Sequence, residues 1–149
     1  MASSANGKLG LGLIGVGGRG NSHLVGFGSR DDCRLVSLCD VNQQTLAAAQ
    51  DWVHTNRGYK PTLHEDMRQM LDDPQIDAVV IATPDHWHCL ASIWACQAGK
   101  DVYVEKPVSN NPWEGRQLVR AARRHGRIVQ VGTQNRSAPD NLKANVRIR

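Results

Sequence analysis

The sequence predicts an α/β fold, a doubly wound parallel sheet of six strands in the order 3-2-1-4-5-6, and three observations carry that expectation. Short β-rich apolar runs alternate with segments of helical periodicity, the pattern of stacked βαβ units. The first run, Leu9 to Val16, is an unbroken apolar and glycine stretch of the kind buried on both faces of a sheet. The fourth, Ile76 to Ala82, has the β-branched density of a central strand. Right-handed crossovers between such strands open a crevice at the carboxyl ends of strands one and four, where chemistry collects.

Taken in order, strand one leads into a glycine-rich turn, and the first helix begins near Arg19. Strand two is Arg34 to Cys39. Asn42 caps the next helix, which places Leu46, Ala49, Trp52 and Val53 at helical spacing and closes at Arg57-Gly58. Tyr59 to His64 is a weak third strand, confined to an edge by Pro61. Glu65 to Leu71 reads as a short helix. After strand four, Thr83 caps a helix with Pro84 in its first turn, and Trp87, Leu90, Ala91, Trp94, Ala95 and Ala98 recur on one face until Gly99. Asp101 to Val104 is strand five. Asn111-Pro112-Trp113-Glu114 has the spacing of a capping box opening a helix that runs to His125-Gly126, and Arg127 to Val131 is strand six. Residues 1–8 read as a flexible segment, 9–132 as one domain, and 133–149 as a lead-in, with Ala138 to Arg149 a capped helix.

Length and composition bound the rest. The 149 residues suffice for one domain with a full core. With 40% hydrophobic and 21% charged residues, and no apolar run near the roughly 20 residues that cross a bilayer, a soluble protein with no membrane partner is expected. The formal charge of +4 comes mostly from the last segment, where Arg136, Lys143, Arg147 and Arg149 face the single acid Asp140. Arg120, Arg123, Arg124 and Arg127 fall at a helix end, where cations offset the dipole, so nucleic acid is not an expected partner. Cys33, Cys39, Cys89 and Cys96 lack paired spacing and read as reduced structural residues in a cytoplasmic protein, with a periplasmic or exported mature form left open.

Gly15-Val16-Gly17-Gly18-Arg19-Gly20 is the most informative segment. Between a strand and a helix, Gly15 allows the turn, Gly17 leaves room for a pyrophosphate, and Gly20 lets the helix approach the sheet. Backbone donors of the helix start then face the anion, with Gly18 and Arg19 beside them. Asp40 stands twenty residues after Gly20, where an acid meets ribose hydroxyls and repels a 2′-phosphate. NAD is therefore the expected cofactor, NADP the less favoured one. Asp40 as a simple helix cap stays open beside that role. Lys106 follows Glu105 and precedes Pro107, so its ammonium is expected in the crevice, either polarising an oxygen or standing in an ordinary Glu-Lys surface pair. The histidines have no metal-binding spacing: His86 and His88 point to different helix faces, and His23, His54, His64 and His125 are expected at the surface.

Three segments, LIGVGGRGNSH from Leu13, VVIATPDHWH from Val79 and GKDVYVEKPV from Gly99, together resemble the Gfo/Idh/MocA oxidoreductase family over about Leu9 to Arg136. The resemblance implies a Rossmann domain in which Gly15, Gly17, Arg19 and Gly20 surround the pyrophosphate and Asp40 the ribose. It implies that Thr83, Pro84 and His88 line the nicotinamide side, that Glu105 and Lys106 stand near the reacting carbon, and that Gln134 and Asn135 lie toward a substrate domain. Lys106 is then the catalytic residue, and the bond before Pro107 is cis. The family's second, substrate-binding domain is missing from the 149 residues, so the chain alone is expected to bind NAD without turning over a sugar or cyclitol. Surface exposed by that loss favours a homo-oligomer. The GVGGRG form also resembles a branch that hydrolyses glycosides with retained NAD. A noncatalytic dinucleotide-binding module is the third reading.

Overall fold

The computed structural model describes residues 7–134. Six parallel strands form one sheet in the order β3-β2-β1-β4-β5-β6. They are β1 (Leu9–Ile14), β2 (Cys33–Cys39), β3 (Thr62–His64), β4 (Ala78–Ile81), β5 (Asp101–Glu105) and β6 (Val129–Gly132). The intervening helices are α1 (Gly18–Gly28), α2 (Gln43–Arg57), α3 (Met67–Leu71), α4 (Asp85–Gln97) and α5 (Pro112–His125). The sheet order and every element expected between residues 9 and 132 are present, the bounds moving by a few residues. The segment 135–149, with Asn135 and the helix expected from Ala138, lies outside the described residues.

Alternation along the central strands builds a core on each face. Leu11 and Leu13 of β1 and Val80 of β4 join Leu24, Leu35, Leu46 and Val53 beneath α1 and α2. Ile14, Val79 and Ile81 point the other way, against Met70, Ala91, Ala95 and Leu118 of α3, α4 and α5. Neighbouring strand residues thus bury opposite faces, as the two-residue repeat of a strand dictates. Gly12 belongs to the second face, where a Cβ would come within 2.8 Å of the Met70 Cε.

Two helix starts behave as their sequences dictate. Asn42 accepts hydrogen bonds from the Gln44 and Thr45 amides. Asn111 accepts one from Glu114, whose carboxylate reaches back to the Asn110 amide and the Asn111 side chain. Gly58 and Gly126 close α2 and α5 in left-handed geometry. The start of α4 differs from expectation. Pro84 occupies the cap position in extended geometry (φ −55°, ψ 148°), and no side chain caps the helix. Its buried face also differs: His88, Cys89, Ala91, Ser92, Ala95 and Cys96 are inside, while Trp87 and Leu90 are exposed. The polar members of that face are satisfied locally, Ser92 donating to the His88 carbonyl at 2.6 Å.

Candidate functional site

The carboxyl ends of β1, β2, β4 and β5 meet around the glycine turn. Gly15 has φ +81°, and a Cβ there would lie 2.8 Å from the Ala82 carbonyl group. Gly20 is tighter still, since a Cβ would sit 1.9 Å from the Gly15 oxygen. Both glycines are therefore demanded by the packing of α1 on β1 and β4. Gly17 is not. Its φ is −82°, and a Cβ would meet only the Thr45 methyl at an ordinary 3.5 Å. Nothing within the described residues explains glycine at this position, whereas a ligand lying on the backbone amides at the start of α1 does.

Asp40 supports the same turn from β2. Its Oδ2 accepts the Val16 amide and its Oδ1 the Asn42 amide, each at 2.9 Å. Asn42, not Asp40, caps α2. Beside Asp40 opens a cavity of about 640 Å³, lined by Gly15, Gly17, Val41, Met67, Thr83, Trp87 and neighbours. Its walls are mostly apolar, and its size suits an adenosine moiety. Arg68 reaches this cavity from α3, a cation absent from the linear reading of the Asp40 neighbourhood. Its guanidinium donates to Asp66 and holds that carboxyl down to about 2. Cys39, in the same wall, is a neutral thiol: burial, with Asp40 and Asp66 nearby, pushes it up to about 12.

Across the turn lies a second cavity of about 400 Å³, lined by Arg19, Thr83, Asp85, His88, Glu105, Lys106, Pro107 and Gln134 among others. Most of the residues singled out in the sequence thus meet at two cavities flanking one glycine turn. Thr83 lines both, and its buried Oγ1 has no hydrogen-bond partner among the described residues. Such an orphaned hydroxyl fits a polar ligand passing between the two spaces. The Lys106-Pro107 bond is cis, and Lys106 is exposed at the cavity mouth.

Glu105 and Lys106 do not form a surface pair. Glu105 is only 4% exposed, and its Oε1 accepts from Arg19 Nε at 2.9 Å and meets His23 Nε2 at 2.7 Å. Burial opposes its ionisation, but the hydrogen bonds from Arg19 and His23 prevail and draw the carboxyl below its usual range. His23 is consequently a buried residue of α1, contrary to the expected surface position. The sequence does hold the signal: His23 follows Gly20, which packs on the sheet, by one turn. His88 is 2% exposed, its Nδ1 lying 2.6 Å from the Pro107 carbonyl and its Nε2 2.8 Å from the Thr83 carbonyl. It joins the loops that follow β4 and β5 and forms part of the cavity floor.

Comparison with known proteins places these features in context. Residues 9–133 match the profile of an oxidoreductase family described as an NAD-binding Rossmann fold. A glycosyl hydrolase family 109 protein from Shewanella baltica is 34% identical over 118 residues, 76% of this chain and 26% of that protein. The chain therefore spans about a quarter of the length of that curated relative. Among solved structures, the WlbA dehydrogenase from Bordetella pertussis, in complex with NADH and UDP-GlcNAcA, is 31% identical with a TM-score of 0.78 over 89% of this chain and 39% of that one. The myo-inositol 2-dehydrogenase from Lactobacillus plantarum is 26% identical with a TM-score of 0.80 over 92% and 40%.

Proposed function

Since this chain belongs to the Gfo/Idh/MocA oxidoreductase family, through its NAD-binding Rossmann domain, we propose that residues 9–132 hold NAD across the glycine turn for hydride transfer on a sugar, cyclitol or related CH-OH substrate. The observation that carries this reading is Gly17, a glycine with no internal reason to be one at the point where two cavities adjoin a helix N-terminus. The larger cavity would hold the adenosine, with Asp40 on its wall to meet the ribose. Gly17, Gly18 and the first amides of α1 would hold the pyrophosphate. The smaller cavity, with the Thr83 hydroxyl and Lys106 on its wall, would take the nicotinamide end, whereas Pro84, expected on that side, lines the larger cavity. Bound NAD supplies the hydride acceptor and, when reduced, the donor.

The chain's own residues account for orientation. Gln134 lines the smaller cavity. Lys106 presents an ammonium donor at the mouth, where it stabilises negative charge developing on a substrate oxygen. His88 fills the space between the Thr83 and Pro107 carbonyls, one ring nitrogen facing each, and so packs the loop that carries Lys106 against the loop after β4. The Asp40 carboxylate disfavours a 2′-phosphate, which makes NAD the preferred dinucleotide.

The 34% identity to a glycosyl hydrolase family 109 protein supports a second reading, hydrolysis of a glycoside with NAD kept bound. The two differ in product: net NADH for a dehydrogenase, released sugar without net NADH for a glycosidase. Calorimetric titration with NAD tests the shared premise. The wild-type chain binds it, and Gly17→Ala keeps its thermal unfolding midpoint but loses the binding; an unchanged affinity in Gly17→Ala would falsify the assignment of the turn.

A further inference from the structure

We propose that Glu105 is a positioning residue for the cofactor, holding the Arg19 guanidinium over the smaller cavity so that its terminal nitrogens meet the dinucleotide's phosphate. The proposal rests on the NAD reading above and adds a role for a side chain that touches no cofactor itself.

The geometry is specific. Arg19 stands in the first turn of α1, and its side chain is 44% exposed. An arginine this open ordinarily samples many rotamers and loses side-chain entropy when one is fixed. Here the inner edge of the guanidinium is fixed by Nε donating to Glu105 at the end of β5, eighty-six residues away. That bond uses Nε alone and leaves the terminal nitrogens, which form the fork that binds phosphate oxygens. Arg19 lines the smaller cavity with Thr83 and Lys106 and does not line the larger one. An arginine fixed before the ligand arrives costs less to order on binding than a free one.

Glu105 is itself held. His23, one turn after Arg19 on α1, meets the same oxygen, and the His23 ring packs edge-on against Tyr103 at 5.3 Å between centroids. A carboxylate needed only to satisfy His23 would have no cause to engage a half-exposed arginine as well. Joined to both, it locks the first turn of α1 to the strand that delivers Lys106.

Calorimetric titration of the 149-residue chain with NAD and with AMP tests this, using Arg19→Met, Glu105→Leu, their double variant and Glu105→Gln. Arg19→Met and Glu105→Leu each weaken NAD by about tenfold, the scale of one charge-assisted hydrogen bond, and the double variant is no weaker than either single one. AMP, which fills the larger cavity, binds all of them as it binds the wild type. Glu105→Gln, still offering an acceptor oxygen to Arg19, recovers affinity to within about threefold of wild type. Additive losses, a parallel loss of AMP, or NAD binding by Glu105→Leu as tight as wild type each overturn the proposal. Should Glu105→Leu not fold, unchanged NAD affinity in the exposed Arg19→Met variant overturns it as well. No NAD binding by the wild-type chain overturns the NAD reading itself, a result distinct from all of these.

Discussion

The Asp40 carboxylate accepts the Val16 amide at 2.9 Å, so the acid that ends β2 holds the glycine turn that leaves β1. A side chain expected to act on a ribose is therefore also part of the scaffold of the turn proposed to hold the pyrophosphate. Replacement by alanine removes both roles at once. Asp40→Ala is expected to lose about 1–3 kcal/mol of stability, because a partly buried amide is left unpaired, together with NAD affinity. Asp40→Asn keeps an acceptor for Val16 and loses the charge. Its unfolding midpoint stays near wild type while its preference for NAD over NADP narrows, as urea denaturation and titration with both dinucleotides will show.

The glycines divide by what a methyl group would strike. Gly20→Ala puts a Cβ 1.9 Å from the Gly15 oxygen, backbone against backbone, so α1 must lift from the sheet. A loss above about 3 kcal/mol is expected, with NAD binding lost as well. Gly26 lies in the same helix with nothing within 4 Å of an added Cβ. Gly26→Ala should gain up to about 1 kcal/mol through helix propensity, and a loss there would show that α1 is not packed as described.

Much of the scaffold was legible because it is local. Asn42 and Asn111 cap helices that their side chains reach within three residues, and the left-handed Gly58 and Gly126 end helices where only the backbone decides. The sheet order follows from apolar runs and crossover handedness. Thr83 illustrates the limit, for Pro84 is extended and starts α4 one residue too late for the threonine hydroxyl to cap it. Trp87 and Leu90 have core spacing but are exposed, Trp87 at the wall of the larger cavity, whereas His88 and Ser92 are buried beside backbone carbonyls that accept from them, which hydropathy does not register. The pairing of Glu105 with Arg19 and His23, and the presence of Arg68 on the wall of the cavity that Asp40 also lines, depend on tertiary contacts that no spacing rule encodes.

Lys100 separates stability from binding. It is 7% exposed, and its ammonium donates to the Asp73 and Ile76 carbonyls at 2.7 and 2.9 Å. Burial lowers its affinity for the proton, while Asp73, Asp77 and Asp72 oppose that. Lys100→Met keeps the apolar stem and removes the ammonium from both carbonyls, of which Asp73 retains the Ile76 amide. A loss of about 1–3 kcal/mol is expected in chemical denaturation, with NAD affinity unchanged because the site lies at the other end of the sheet. A large fall in NAD affinity would contradict that separation.

The acid limb of stability should report Glu105. Its carboxyl lies below the usual carboxylate range in the folded chain, burial being outweighed by the hydrogen bonds from Arg19 and His23. The folded state thus binds the proton less readily than the unfolded chain, so the ionised group stabilises the fold above the ordinary glutamate range and that contribution is lost as pH falls through the lower folded value. Glu105→Gln carries no such proton. Urea unfolding of wild type and Glu105→Gln, followed from about pH 7 to about pH 3, should show the wild type more stable at neutrality and the difference shrinking in acid. Parallel curves over that range would mean that the carboxylate gains nothing from Arg19 and His23. In that case the arginine is held by shape alone, and the same pair of proteins would then show equal NAD affinities at neutral pH.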